Sequence, residues 1–326
     1  MERTGADRAS GRLPWGALVG GILALSTASV LIRLTGVPAL AVGAWRLGLA
    51  TLVLTPWALP RFRRATSSLG RADALRLALS GLALAIHFAA WIASLAYTSV
   101  ASSVVLVTTT PIYVGLVSHF CLGEHVDRRR WLAIGVAVVG GVAIGYGDLR
   151  VSGAALLGDA LALLGALAMA THLLLGRHLR RALSTPAYVW PVYGVAAVVL
   201  ILGCLVARQP LLGYDRRTYV LLALLALVPQ VFGHSIFNWA LARVSPLVVT
   251  LAILGEPVGA SALAFLVLQE APPPTLWLGG PLLLAGLVLA SWDGATPAAP
   301  PVRPPSAYPP PPAYSPHPKP ARRPPR

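Results

Sequence analysis

Two charged side chains stand inside apolar segments, where charge is hardest to hold. Glu256 lies in the middle of ILGEPVGASALAFLVLQE and is followed at once by Pro257. Arg46 lies in AVGAWRLGLA. An acid at the centre of a membrane-crossing helix costs about 2.5–3.5 kcal/mol on insertion scales. Protonation, a partner or a water-filled cavity must offset that cost, so Glu256 either handles a proton or solute or serves as a structural hydrogen-bonding group. Arg46 faces the same choice, between a structural ion pair and an anion-binding role. Pro257 has no N–H and disrupts the bond to the Ile253 carbonyl. Thr110–Pro111 would do the same to the Val107 carbonyl. Backbone opened at mid-depth is tolerated only where it faces protein or a cavity, which makes Pro111 and Pro257 candidate hinges beside a candidate site.

Other polar groups recur at helical spacing. His87, Trp91, Ser94 and Thr98 share one helix face. Gln230, His234 and Asn238 repeat every four residues, with Trp239 adjacent, and Ser102, Thr109 and Tyr113 share a third face. Lipid does not reward polar groups, so such faces point inward, to a neighbouring helix or to a central cavity. The candidate substrate- or proton-binding set is therefore Glu256, Arg46, His87, Trp91, Tyr113, Thr110, His234, Asn238, Trp239 and Gln230. Aromatic and amide walls suit amphipathic metabolites or amino acids better than bare ions.

These residues are positioned by apolar blocks. The 326-residue chain is 56% hydrophobic and only 11% charged, against roughly a quarter charged in a soluble domain. Ten blocks approach bilayer length, at about 14–35, 37–59, 74–97, 99–121, 129–147, 153–175, 187–207, 216–243, 246–268 and 274–292. Each reads as a transmembrane helix. The first is too long for a signal-peptide core and runs straight into the second, so it reads as a retained span. Cys121 and Cys204 both lie in apolar runs without metal or disulfide spacing. No motif calls for a cofactor.

Basic residues outnumber acidic ones, 26 to 11. They cluster in the links between blocks, which marks topology rather than nucleic-acid binding. With the N-terminus in the cytoplasm, only Arg33, Arg150, Arg208, Arg216 and Arg217 fall on the outer side. Arg46 is within a helix and all other basic residues are inside. Both termini are thus expected to be cytoplasmic: a short segment, 1–13, and a Pro/Arg-rich tail, 295–326, that reads as disordered.

The two halves of the chain repeat. At one gap-free offset Leu95, Ala96 and Ser99 align with Leu241, Ala242 and Ser245, Pro111 with Pro257, and Glu124 with Glu270. Trp131–Leu132 then align with Trp277–Leu278, and Gly140 with Gly286. Each half holds five helices, at 14–147 and 153–292. A unit with an odd number of spans must enter the membrane from the opposite side in its second copy, which is the inverted-repeat signature of secondary transporters. The glycines of the fifth helix, Gly135, Gly140, Gly141 and Gly145, are expected to allow close packing. Glu124 and Glu270 read as capping or pairing groups at helix ends.

The segments TPIYVGLVSHFCLGEHVDRRRWLAIGVAVVGGVAI and LGEPVGASALAFLVLQEAPPPTLWLGGPLLLAGLVL resemble the EamA-type permeases of the ten-helix drug/metabolite transporter superfamily. Both show a proline in mid-helix, an acid at the helix end and a glycine-rich last helix. AVGAWRLGLA is similar to that family's arginine-bearing second helix. The resemblance implies an all-α integral membrane protein of ten transmembrane helices in two inverted five-helix repeats. It also implies a permease for a small organic metabolite, amino acid or drug, with export as the direction. Gln269 stands where that pattern has glycine before its acid. Expected partners are the small-molecule substrate and the lipid bilayer of the plasma or inner membrane, with a homodimer allowed and no nucleic acid. A polytopic membrane enzyme is disfavoured, since GHSIF lacks a nucleophile elbow and no HExxH occurs. A non-transporting scaffold remains the other alternative.

Overall fold

The computed structural model describes residues 13–66, 69–123, 128–151, 153–240, 249 and 253–291. Glu124, residues 1–12 and the tail 295–326 lie outside the described residues. The described secondary structure is helical throughout.

The first helix comes in two pieces, α1 (Leu13–Ser26) and α2 (Ala28–Thr35). At the break, the Ser26 hydroxyl donates to the Ile22 carbonyl at 2.9 Å and the Thr27 hydroxyl to Ala24 at 2.7 Å. Such back-bonding by Ser and Thr bends helices. Gly36, at φ 62°, closes α2 in the left-handed conformation that glycine adopts without strain. Next come α3 (Ala39–Thr66) and α4 (Arg71–Ser94). Ser99 then caps α5 (Val100–Val107), accepting from the Ser102 amide at 2.9 Å.

The single span expected over 99–121 is interrupted. α5 ends at Val107, and α6 (Thr110–Leu122) starts afresh with Pro111 in its first turn. Pro111 belongs there because the first turn has no use for its missing N–H. The chain continues through α7 (Arg128–Val151), α8 (Gly153–Ala182) and α9 (Thr185–Val206). Asp215 caps α10 (Arg216–Leu225), accepting from the Thr218 amide at 2.8 Å. α10 widens into a π-helical segment, Ala226–His234, before α11 (Ser235–Ala240). A single 3₁₀ turn, Ile253–Gly255, leads into α12 (Glu256–Leu268), which carries Pro257 in its first turn. The last helix is α13 (Leu276–Ser291).

Among the described residues seven helical stretches are long and apolar enough to cross a membrane, and Trp131–Ala143, Glu256–Leu268 and Leu276–Gly286 are shorter apolar helices. The exterior is oily: Leu52, Trp57, Phe120, Leu132, Val142, Leu266 and Trp277 are all exposed. The interior holds Arg46, His87, His172, Arg180, Gln230, Asn238 and Glu256. That inverts the pattern of a water-soluble protein.

The packing pairs repeat between halves. α7 lies along α13, α3 along α9, and α5 against α12. α4 packs on α8, and α1 in turn packs on the π segment. Exchanging the two sets of five blocks leaves this pattern unchanged. Gly286 permits the closest of these contacts: a Cβ there would come within 2.6 Å of the Ala133 carbonyl and the Ala137 amide. Gly135, by contrast, faces open space. The close approach of α7 and α13 therefore uses the glycine of α13 and not Gly135 of α7.

Candidate functional site

The broken helices meet at the centre of the bundle. A cavity of about 40 Å³ is bounded there by His87 and Trp91 of α4, Val107, Thr108 and Thr110 at the α5/α6 break, and Met169 of α8. Leu25 of α1, His234 at the end of the π segment, Ile253 and Glu256 complete the wall. Both halves of the chain thus contribute. That volume holds about three waters, not a metabolite.

Local chemistry fixes each wall. The Val107 carbonyl, left without an N–H by Pro111, accepts instead from the Thr110 hydroxyl at 2.9 Å. Thr108 and Thr109 serve the Val105 and Leu106 carbonyls at 2.8 and 2.7 Å. His87 Nδ1 lies 2.9 Å from the Gly165 carbonyl, and a carbonyl only accepts, so that nitrogen carries the proton. Its ring stacks on Trp91 with centroids 5.9 Å apart, and Phe88 meets His234 edge-on at 5.4 Å. α12 crosses α1 so closely that a Cβ on Gly259 would clash with the Ser26 side chain.

Arg46 stands beside this wall with no exposed surface. Its guanidinium lies 4.4 Å from the centre of the Phe88 ring and 5.8 Å from that of Trp91. Nε donates to Gln230 Oε1 at 2.7 Å. Glu256 is near enough for the two charges to attract, yet no ion pair within 4.0 Å joins them among the described contacts. The π segment is what aims Gln230 at Arg46 and His234 at the cavity. α11, which continues the π segment, is held by Arg180, whose Nε donates to the Asn238 carbonyl at 3.0 Å and whose Nη2 donates to Thr185 Oγ1 of α9 at 2.7 Å.

A family model described as the EamA-like transporter family matches residues 13–146 and again 156–292. The chain belongs to the EamA-like transporter family. It is a multi-pass membrane protein built from two EamA repeats, and the family's members are transporters. A crystal structure described only as that of a protein has 18% identity to this EamA chain. It covers 88% of this chain and 98% of its own at a TM-score of 0.63, a likeness of fold. No curated protein matches.

In this EamA chain the structure gathers five of the sequence candidates, His87, Trp91, Thr110, His234 and Glu256, around one cavity. Arg46 and Gln230 sit directly behind them, joined to each other. Asn238 lies further along α11, donating to the His234 carbonyl at 3.0 Å. Tyr113 and Trp239 are partly buried away from the cavity wall. Pro111 and Pro257 both start helices at the cavity edge. Sequence reasoning missed Met169, Thr108 and Leu25, which carry no polar periodicity of their own. It also missed a buried cluster in which Ser80 Oγ lies 2.9 Å from both His172 Nδ1 and Tyr188 Oη. Those three residues come from three helices and have no shared spacing to betray them. Arg180 read as a loop arginine but is buried.

Proposed function

We propose that the chain is a secondary transporter that moves a small organic metabolite, amino acid or drug across the cell membrane by alternating access, outward and coupled to protons. Its units are two inverted five-helix repeats, 14–147 and 153–292, ten spans in all, with both termini in the cytoplasm. The repeat-symmetric packing and the seven long and three shorter apolar helices support that arrangement. The observation that carries the reading is the central cavity, enclosed by both halves where helices are broken, with Glu256 in its wall. Helices interrupted at such a place supply both a binding surface and a joint about which the halves can rock.

Glu256 is the group proposed to take and release the proton, and Arg46, His87, Trp91, Thr110 and His234 the groups that meet the solute. The cavity is small because access is closed, and rocking of one half against the other enlarges it. Flux of a solute panel into proteoliposomes, measured at two external pH values, tests the reading. Glu256→Gln should reconstitute normally and lose the pH dependence of flux. An unchanged pH profile removes proton coupling, and absence of flux for every solute removes the transporter reading.

A further inference from the structure

Arg46 is short of acceptors for its terminal amines. A guanidinium only donates, so its contact at 2.7 Å fixes the Gln230 amide with Oε1 towards Arg46 and Nε2 away. Arg46 Nη1 and Nη2, Trp91 Nε1 and Gln230 Nε2 are all buried and all without a hydrogen-bond partner. They come from α3, α4 and the π segment, so no single helix explains them. Tyr193 Oη, which can accept, lies close to Gln230, Ser235 and Asn238, so the unmet donors that remain are those of Arg46 and Trp91. An arginine with both terminal amines unmet inside an apolar bundle carries a desolvation penalty that only an acceptor can relieve. Two parallel Nη donors match a planar two-oxygen acceptor better than water or a carbonyl.

We propose that Arg46 receives the carboxylate of the transported solute, with Trp91 Nε1 as a further donor and Gln230 as the brace that orients the guanidinium. This rests on reading the chain as a solute carrier and narrows its substrate class to monocarboxylates, with or without a neutral or cationic group elsewhere. Trp91 is shared between the two places: it lies under Arg46 and also forms the cavity wall. The carboxylate therefore enters on the Trp91 side while the apolar remainder lies against Val107, Met169 and Ile253. Glu256 in the same wall disfavours a second anionic group. Bare organic cations, which lack the acceptor, are excluded as substrates.

The experiment uses the purified full chain and compares benzoate with benzamide and benzylamine, and hexanoate with hexanamide, by thermal shift. The acids should raise the melting temperature and their amides and amines should not. Arg46→Gln should weaken acid binding on the order of a hundredfold, the loss that follows removal of one partner of a buried charge pair. Because that variant can also fail to fold, Gln230→Glu is the second arm. It keeps Arg46 and supplies an internal carboxylate, so it should raise the melting temperature without ligand and abolish the response to benzoate. No shift from either acid, equal shifts from the amides, or a full benzoate response in Gln230→Glu overturns the proposal. Acid binding without flux in proteoliposomes would instead fault the transporter reading and leave the carboxylate site standing.

Discussion

Single residues divide into those that replace a missing backbone bond and those that cap. Thr110 is of the first kind. Its hydroxyl covers the Val107 carbonyl that Pro111 leaves open, in a buried place. Thr110→Val keeps the shape and removes the donor, so it should cost about 1–3 kcal/mol, the desolvation of one unmet buried group. Thermal unfolding of the purified variant measures this. Asp215 is of the second kind. The Thr218 hydroxyl, and then its amide, hold the Asp215 carboxyl below the ordinary aspartate range, and it stands outside the spans at the start of α10. A lowered native value means the carboxylate stabilises the fold at neutral pH and loses that effect as pH falls through the ordinary range towards the native value. Asp215→Ala should therefore lower the melting temperature at pH 7, and the gap from wild type should close in acid. A gap that is constant with pH would mean the charge plays no part. At this scale the sequence was most legible where a residue was anomalous. Glu256, Arg46 and Thr110–Pro111 stand out because apolar surroundings make them costly. Met169 and Thr108 do not, because only packing brings them to the cavity.

Helical elements were legible as apolar blocks and poor in detail. Hydropathy located the apolar blocks, since bilayer thickness sets their length. It could not locate the breaks at Thr27 and Thr108–Thr109, where hydroxyls serving carbonyls keep the composition apolar enough to read as one helix. The spacing of Gln230, His234 and Asn238 suggested one polar face of a regular helix. The π segment winds that stretch differently, so Gln230 meets Arg46 while His234 faces the cavity. The pairing of α7 with α13 supplies a prediction proper to elements. Gly286→Ala should cost about 1–3 kcal/mol, because the new methyl would press on the backbone of Ala133 and Ala137, which cannot rotate aside. Gly135→Ala on α7 meets open space. It should be neutral or stabilise by up to about 1 kcal/mol through helix propensity. Thermal unfolding of the two variants side by side checks both signs, and equal effects would mean that α13 does not lean on α7 through Gly286.

The symmetry of the packing becomes a statement about how the whole molecule opens. Arg33 ends the first block. It donates to the Thr98 carbonyl at 2.9 Å and lies 3.5 Å from Glu270 of the other half. Glu270 Oε1 accepts from the Val100 amide at 2.6 Å, so it also caps α5 at its positive end. Arg180, near the end of α8, is the corresponding cation of the second half. It ties α8 to the Asn238 carbonyl of α11 and to Thr185. Each arginine thus joins the first helix of its own repeat to the end of the third. If the repeats are inverted, the two clasps lie at opposite ends of the bundle and close opposite mouths of the cavity. Glu270→Ala removes an amide cap and a half-exposed ion pair, and should cost only about 1–2 kcal/mol of stability. Arg180→Met should cost more, because it leaves buried carbonyls without a donor. The decisive measurement is access. Thr108, in the cavity wall, is replaced by cysteine in a chain whose exposed Cys121 and buried Cys204 have been changed to serine. A membrane-impermeant maleimide is then applied from one side of oriented vesicles at a time. Glu270→Ala should speed labelling from the side of the Arg33 clasp, and Arg180→Met from the other. Faster labelling from the same side in both variants would place the two clasps at one mouth and remove the inverted arrangement.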